Sequence, residues 1–369
     1  MPSQPGTVIE KKRLCLPWWR RGLIALMRGF YFRRIALAGA LPPHEPEKPR
    51  FLLISHRNGA IDGYIALVAY PEAQFALSAQ LLRHPLLRLM FTGIPIVREK
   101  DRQRHGMARR DFADPFDAAC AYLKAGGTLA FFPEGSSEWG HRPQHYQAGC
   151  ARIVRRLLED GVTPQVIPLG LFYRHPDRFR SEVEIMPGKP VDLLPRLPDE
   201  HPRHWEKRLL AAMAMALDAV SVDCPDAQGF ARVERLAAAA ADGHAECLPP
   251  TTPGTDAPPP SYARAFLYWQ EAARHAPLPD APARPKRRAA WWAKPCIAVF
   301  CLLCAPVLLA GKWAGYKADA RNTVSFFRFL GGLAATLVWL PILFILLILF
   351  PLPVGAATLL AWVGWQQWP

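Results

Sequence analysis

The sequence predicts an α/β fold, a mixed and mostly parallel sheet flanked by helices, followed by a helical extension and C-terminal membrane helices. Three observations carry this reading. Between Arg50 and Asp192, short apolar runs of strand length alternate with helical patterns, the order that builds a parallel sheet. An Ala- and charge-rich helical stretch comes next, and the segment from Phe329 to Trp365 then contains no Lys, Arg, Asp or Glu.

In chain order, residues 1–45 form an N-terminal region whose PWWRRGLIALMRGFYF run, Pro17–Phe32, mixes aromatics and arginines at helical spacing. That composition suits an interfacial amphipathic helix, and a helix capping the core fits it as well. Residues 46–195 form the α/β domain. Its strand candidates are Phe51–Ile54, Gln74–Leu77, Ile94–Val97, Thr128–Phe132, Val166–Leu171 and Val183–Met186. Helices are expected at Ile61–Ala69, Leu81–Met90, Pro115–Leu123 and Gly149–Leu158, the third ended by Gly126-Gly127. Residues 196–290 form the extension, with helices near Trp205–Val220 and Ala227–Ala241 and a Pro-rich linker at Leu248–Pro260.

Residues 291–369 read as membrane-embedded. Crossing a bilayer as a helix takes about 20 apolar residues, so Phe329–Trp365 holds one span and a shorter second one, broken near Pro351 and Pro353. Pro295–Gly311 is at the short limit, and basic residues flank it on both sides: Arg287, Arg288 and Lys294 before, Lys312 and Lys317 after. Both flanks prefer the cytoplasm, so this segment either crosses as a short span or dips in and returns, and its topology stays open.

Composition narrows the partners. The chain of 369 residues is 51% hydrophobic and carries a net charge of +14, which calls for an anionic partner. The apolar content and the crowding of arginines near apolar segments favour an anionic membrane, and no nucleic-acid motif accompanies the charge. The eight cysteines are scattered, apart from Cys301 and Cys304 inside an apolar run, so a reducing compartment is expected and no metal site. His141 and His145 stand four apart, but Pro143 between them opposes a helical ligand pair. Polar first residues and a short apolar run at Gly22–Met27 do not make a secretory signal. The Ala- and Arg-rich composition suggests a high-GC bacterium, hence an inner membrane with the α/β domain on the cytoplasmic face.

The chemistry concentrates in FLLISHRNGAIDGY. His56 follows a short strand, Asn58 and Gly59 make a turn, and Asp62 falls in the first turn of the next helix. A hydroxyl attacks an acyl carbon well only if a neutral imidazole takes its proton, and a carboxylate beside that imidazole fixes its tautomer and steadies the imidazolium. No G-x-S-x-G elbow supplies a nucleophile of the protein's own, so the nucleophile comes from substrate. Three further blocks follow at strand ends: GIPIVREKD at Gly93–Asp101, FFPEGSSE at Phe131–Glu138 and VIPLGL at Val166–Leu171. Strand ends are where α/β sheets build ligand crevices.

These four blocks, in this order, resemble the glycerophosphate acyltransferase superfamily typified by bacterial 1-acylglycerol-3-phosphate acyltransferase. That family usually places four residues between its His and Asp, whereas five separate His56 from Asp62. The wider loop is similar to the fungal glycerol-3-phosphate and dihydroxyacetone-phosphate acyltransferase branch, as are YQAGCARI, VSVDCPD and the C-terminal apolar pair. The resemblance implies His56 as general base and Asp62 as its orienting partner. It implies that Arg98, in the block opened by Gly93, binds the acceptor phosphate, that Glu134 and Gly135 place the glycerol backbone, and that Pro168 shapes the strand on the donor side; the hydroxyls of Ser136 and Ser137 can add donors to the phosphate.

The expected function is therefore transfer of a fatty acyl group onto glycerol 3-phosphate or a lysophospholipid acceptor. No cofactor is expected; the co-substrate is an acyl thioester, acyl-CoA or an acyl group on acyl carrier protein. A membrane-tethered lipid-binding protein of the same fold without turnover is the alternative.

Overall fold

The computed structural model describes residues 18–78, 93–96, 115–249, 260–280 and 289–368. The expected helix at Leu81–Met90, the residue Arg98 and most of the Pro-rich linker lie outside the described residues.

Among the described residues seven strands form one sheet in the order β1-β7-β6-β2-β5-β3-β4. They are β1 (Arg34–Leu37), β2 (Arg50–Ile54), β3 (Gln74–Ser78), β4 (Gly93–Ile96), β5 (Thr128–Phe131), β6 (Gln165–Arg174) and β7 (Glu182–Pro187). β6 and β7 pair antiparallel and every other pair is parallel. The α/β expectation holds, and the sheet gains β1, an edge strand absent from the sequence reading. Its four residues RIAL alternate too briefly to register as a strand, and only pairing with β7, about 150 residues onward, defines it.

The pleat sends alternate residues to opposite faces, and each face acquires its own core. Leu52 and Ile54 of β2 join Ile167, Leu169 and Leu171 of β6 on one face, under helix α1 (Trp18–Leu26) and helix α2 (Ala60–Ala69). Phe51, Leu53, Leu129 and Val166 point the other way, against α3 (Pro115–Lys124), α4 (Gly149–Glu159) and α5 (Pro202–Asp218). The extension adds α6 (Ala227–Ala241) and α7 (Tyr262–His275), which pack together and cover Phe172 and Met186. Buried Glu184 of β7 ties α7 down by accepting from the Ala263 amide at 2.9 Å while Arg34 donates to it at 2.6 Å.

The N-terminal run caps the core, one of the two places its composition allowed. Leu23, Met27 and Tyr31, spaced four apart through α1 and the π-helical turn Met27–Tyr31, are buried in the core, while Trp18, Arg21 and Arg28 remain exposed.

The C-terminal helices are α8 (Ala293–Leu303), α9 (Ala305–Tyr316), α10 (Val324–Leu349) and α11 (Pro351–Gln366). Together with the turn before it, α10 makes a 29-residue apolar segment, Arg321–Leu349, long and apolar enough to cross a membrane. α8 and α9 meet at Cys304 with a bend of 74°, the geometry of a broken span or a re-entrant loop. Small residues let α9 approach α10: a Cβ on Gly311 would lie 2.9 Å from the Arg328 carbonyl, and one on Gly331 would lie 2.5 Å from the Ala314 methyl.

Candidate active site

β2 ends at Ile54, and the chain turns through Ser55–Gly59 into α2. Gly59 makes the turn possible at φ +54° and ψ −137°, a conformation that only glycine adopts freely. The five-residue spacing therefore closes, and His56 Nδ1 lies 3.0 Å from Asp62 Oδ2.

Asp62 is wholly buried, and its position is over-determined. The amides of Arg57 and Asn58 each donate to Oδ2 at 2.7 Å, and the Tyr173 hydroxyl donates to Oδ1 at 2.5 Å. A carboxylate so surrounded can only accept, so the contact with His56 places the ring proton on Nδ1. Nε2 then keeps its lone pair, on an imidazole whose side chain is 17% exposed. Burial, the Asp62 charge and their hydrogen bond all push the Tyr173 hydroxyl well above its ordinary range, so it stays a neutral donor.

The loop after β5 closes the other side. Phe132 stacks on the His56 ring with centroids 4.2 Å apart, and Phe75 of β3 stacks behind it at 5.9 Å. Glu134, buried, accepts from the His56 amide at 2.7 Å through Oε1 and from the Gln144 amide at 2.9 Å through Oε2. Burial raises its carboxyl above the usual range, opposed by those two amides and by the Arg57 charge. Glu134 thus braces the backbone that carries His56. Gly135 follows at φ +69°, a left-handed turn that leaves Ser136 exposed beside the corner.

Arg57 is an unforeseen member. Its buried guanidinium lies 4.5 Å over the Trp139 ring and donates to the Gly140 carbonyl at 2.9 Å. Burial pulls it below its ordinary value, against the opposing charges of Glu134 and Asp62.

The foot of α10 reaches the same place from the far end of the chain. Asn322 donates from Nδ2 to the Ser137 carbonyl at 2.7 Å and to Ser137 Oγ at 2.8 Å. Its own carbonyl lies 3.1 Å from where a Cβ on Gly59 would sit. Ser325 donates to the Pro176 carbonyl, to which Asn58 also donates at 3.5 Å.

The structure therefore unites His56, Asp62, Glu134 and Gly135, with Ser136 on the adjoining turn. Pro168 sits inside the sheet, opposite Leu53 in register, so it shapes β6 instead of lining the corner. Gly93 pairs with Phe75 three strands away from β2. It must be glycine because a Cβ there would lie 2.0 Å from the Phe75 carbonyl oxygen. Arg98 lies outside the described residues. Among the described residues no group of three or more His, Cys, Asp or Glu could hold a metal ion.

With this geometry in place, likeness to known proteins can be weighed. No family model matches the chain. Glycerol-3-phosphate O-acyltransferase 1 of Saccharomyces cerevisiae is 26% identical to it over 138 residues. The match takes in 34% of this chain and 18% of the yeast protein, less than a fifth of that relative's length.

Tyr173, Arg57 and Asn322 escaped the sequence reading. Tyr173 had a faint signal, since period-two spacing puts it on one face with Leu169 and Leu171, and a hydroxyl on such a buried face needs a partner. Arg57 and Asn322 had none: an arginine after a histidine and an asparagine before an apolar helix both read as surface residues.

Proposed function

We propose that this protein is a membrane-bound O-acyltransferase that moves a fatty acyl group from a thioester to the hydroxyl of glycerol 3-phosphate or a lysophosphatidate-like acceptor. The observation that carries the reading is the imidazole held by a wholly buried carboxylate, with the other ring nitrogen left for a reactant. His56 Nε2 takes the hydroxyl proton as the oxygen attacks the thioester carbonyl carbon. The tetrahedral intermediate collapses, the carbon–sulfur bond breaks, and the leaving thiolate recovers the proton from the imidazolium. The products are an ester and a free thiol, and Asp62 steadies the charged ring throughout.

In this reading Arg98 holds the acceptor phosphate, since a guanidinium fork matches phosphate oxygens. Gly135 and Ser136 line the acceptor side, and Glu134, besides bracing His56, keeps lone pairs that can take a glycerol hydroxyl. Gly93 and Pro168 act through strand shape. The thioester is carried on coenzyme A or acyl carrier protein, and the apolar C-terminal helices keep the site beside its lipid acceptor and product, in a bacterial inner membrane with the catalytic domain on the cytoplasmic side.

The test is acyl transfer by the purified full chain to glycerol 3-phosphate, dihydroxyacetone phosphate and lysophosphatidate with both thioester donors. Transfer to one of these acceptors, abolished in His56→Ala, is expected. Lysophospholipid binding with no thioester consumed would instead identify a non-catalytic lipid-binding protein, and undiminished turnover in His56→Ala would remove His56 from the mechanism.

A further inference from the structure

Where the N-terminal helical region and α11 meet the sheet, an arginine stands without a counter-charge. Arg180 precedes β7 at φ +62°, a left-handed conformation that is uncommon for a residue with a side chain. Its amide donates to the Tyr31 carbonyl at 2.9 Å, and the Arg33 amide donates to the Ser181 carbonyl at 2.8 Å. Adjoining backbone thus presents two guanidinium groups together. The Arg180 guanidinium carbon lies over Trp365 of α11, 4.3 Å from its centroid, and that ring stacks on Phe30 at 5.7 Å.

The Arg180 environment is incomplete. Its Nε is buried with no hydrogen-bond partner, and among the described residues no carboxylate pairs with it. Burial and the like charge of Arg33 together pull it below the ordinary arginine value. Arg33 has Glu182, 3.9 Å from its Nε, but Glu182 is also engaged by Arg174 at 3.3 Å. A partly buried cation costs free energy unless an acceptor meets it, and an aromatic face supplies attraction without accepting its N–H groups. Tryptophans beside arginines at the root of an apolar helix mark the headgroup level of a bilayer.

We propose that Arg180, held on the Trp365 face, binds together with Arg33 the phosphate of an anionic phospholipid headgroup. The guanidinium fork fits phosphate oxygens. None of the groups that hold His56 and Asp62 belongs to this site, and its occupant does not depend on the acyl-transfer reading.

The full chain, purified in neutral detergent, is titrated with phosphatidylglycerol, phosphatidylcholine or inorganic phosphate while the thermal unfolding midpoint is followed, because a ligand that binds the folded state raises that midpoint. Phosphatidylglycerol is expected to raise it saturably and phosphatidylcholine to leave it unchanged. Arg180→Gln should weaken the apparent phosphatidylglycerol affinity about tenfold, the loss of one charge-assisted hydrogen bond. Arg33→Gln gives a second, independent reading if Arg180→Gln does not fold, with native mass spectrometry counting retained phosphatidylglycerol. An unaltered response in the folded variants overturns the proposal. Saturation by inorganic phosphate at the same concentrations overturns the lipid assignment in favour of a free phosphate.

Discussion

Two regions of this chain treat their awkward groups in opposite ways. In the His56 corner the charge is met from within: buried Asp62 accepts from His56, Arg57, Asn58 and Tyr173, and Glu134 accepts from two backbone amides. Along α10, Leu337, Leu340, Phe344 and Ile348 each stand more than 60% exposed, with no part of the described chain packed over them. The corner is finished by the protein itself, and the helix is finished by its surroundings. Chemistry needs fixed geometry, which only covalently connected groups supply reliably, whereas an apolar helix needs only an apolar medium.

The comparison breaks most visibly at the base. Removing a positioned general base costs on the order of 10² to 10⁴-fold in rate, so His56→Ala should lower kcat by that factor with folding intact, measured by single-turnover acyl transfer. Asp62→Asn should approach the same loss, because an amide offers one accepting oxygen where the corner supplies four donors. Near-normal turnover in either variant would mean that the self-contained corner is structural only.

The open side is tested by a charge. Leu340→Arg on α10 should cost about 3 kcal/mol of membrane insertion, read as protein lost from the membrane fraction, while kcat of the detergent-extracted enzyme is unchanged. Leu197→Arg, at a residue 52% exposed in the segment between β7 and α5, should leave the membrane fraction as it was. If the two substitutions behave alike, the exposed face of α10 is not a lipid face.

Tyr173→Phe sharpens the corner half of the contrast. A hydrogen bond to a charged group is worth about 1.5–3 kcal/mol when its partner stays buried. The variant should therefore unfold at lower denaturant and retain more activity than His56→Ala, since Nδ1 still meets Asp62. Equal stability would show that Oδ1 does not need the hydroxyl.

How much of this was legible follows the range of each interaction. Pattern and turn chemistry in FLLISHRNGAIDGY are local, so the His56–Asp62 contact could be read, and Gly59 supplied the turn that lets a five-residue spacing close. Six strands announced themselves as apolar runs, while β1 is too short and depends on distant β7. β6 runs on to Arg174, past the expected end at Leu171, because Phe172 and Tyr173 serve different cores on its two faces. Glu134 was singled out as a substrate group, but the amides that occupy its oxygens come from His56 and Gln144. Neither partner could be assigned before the loop was folded.

The smallest expected effect joins the two regions. Asn322 stands in the turn that leads into α10, yet it is 6% exposed and spends its side-chain amide on Ser137, in the loop that also carries Glu134 and Ser136. Replacing it by alanine removes two neutral hydrogen bonds worth about 1 kcal/mol each, but leaves Asp62, Tyr173 and the His56 ring untouched. A loosened Ser137 loop should raise the acceptor KM severalfold and hardly change kcat, because substrate placement weakens while the base keeps its geometry. A fall in kcat alone would mean that the foot of α10 acts on the base, and unchanged kinetics would mean that α10 and the corner, though in contact, work independently.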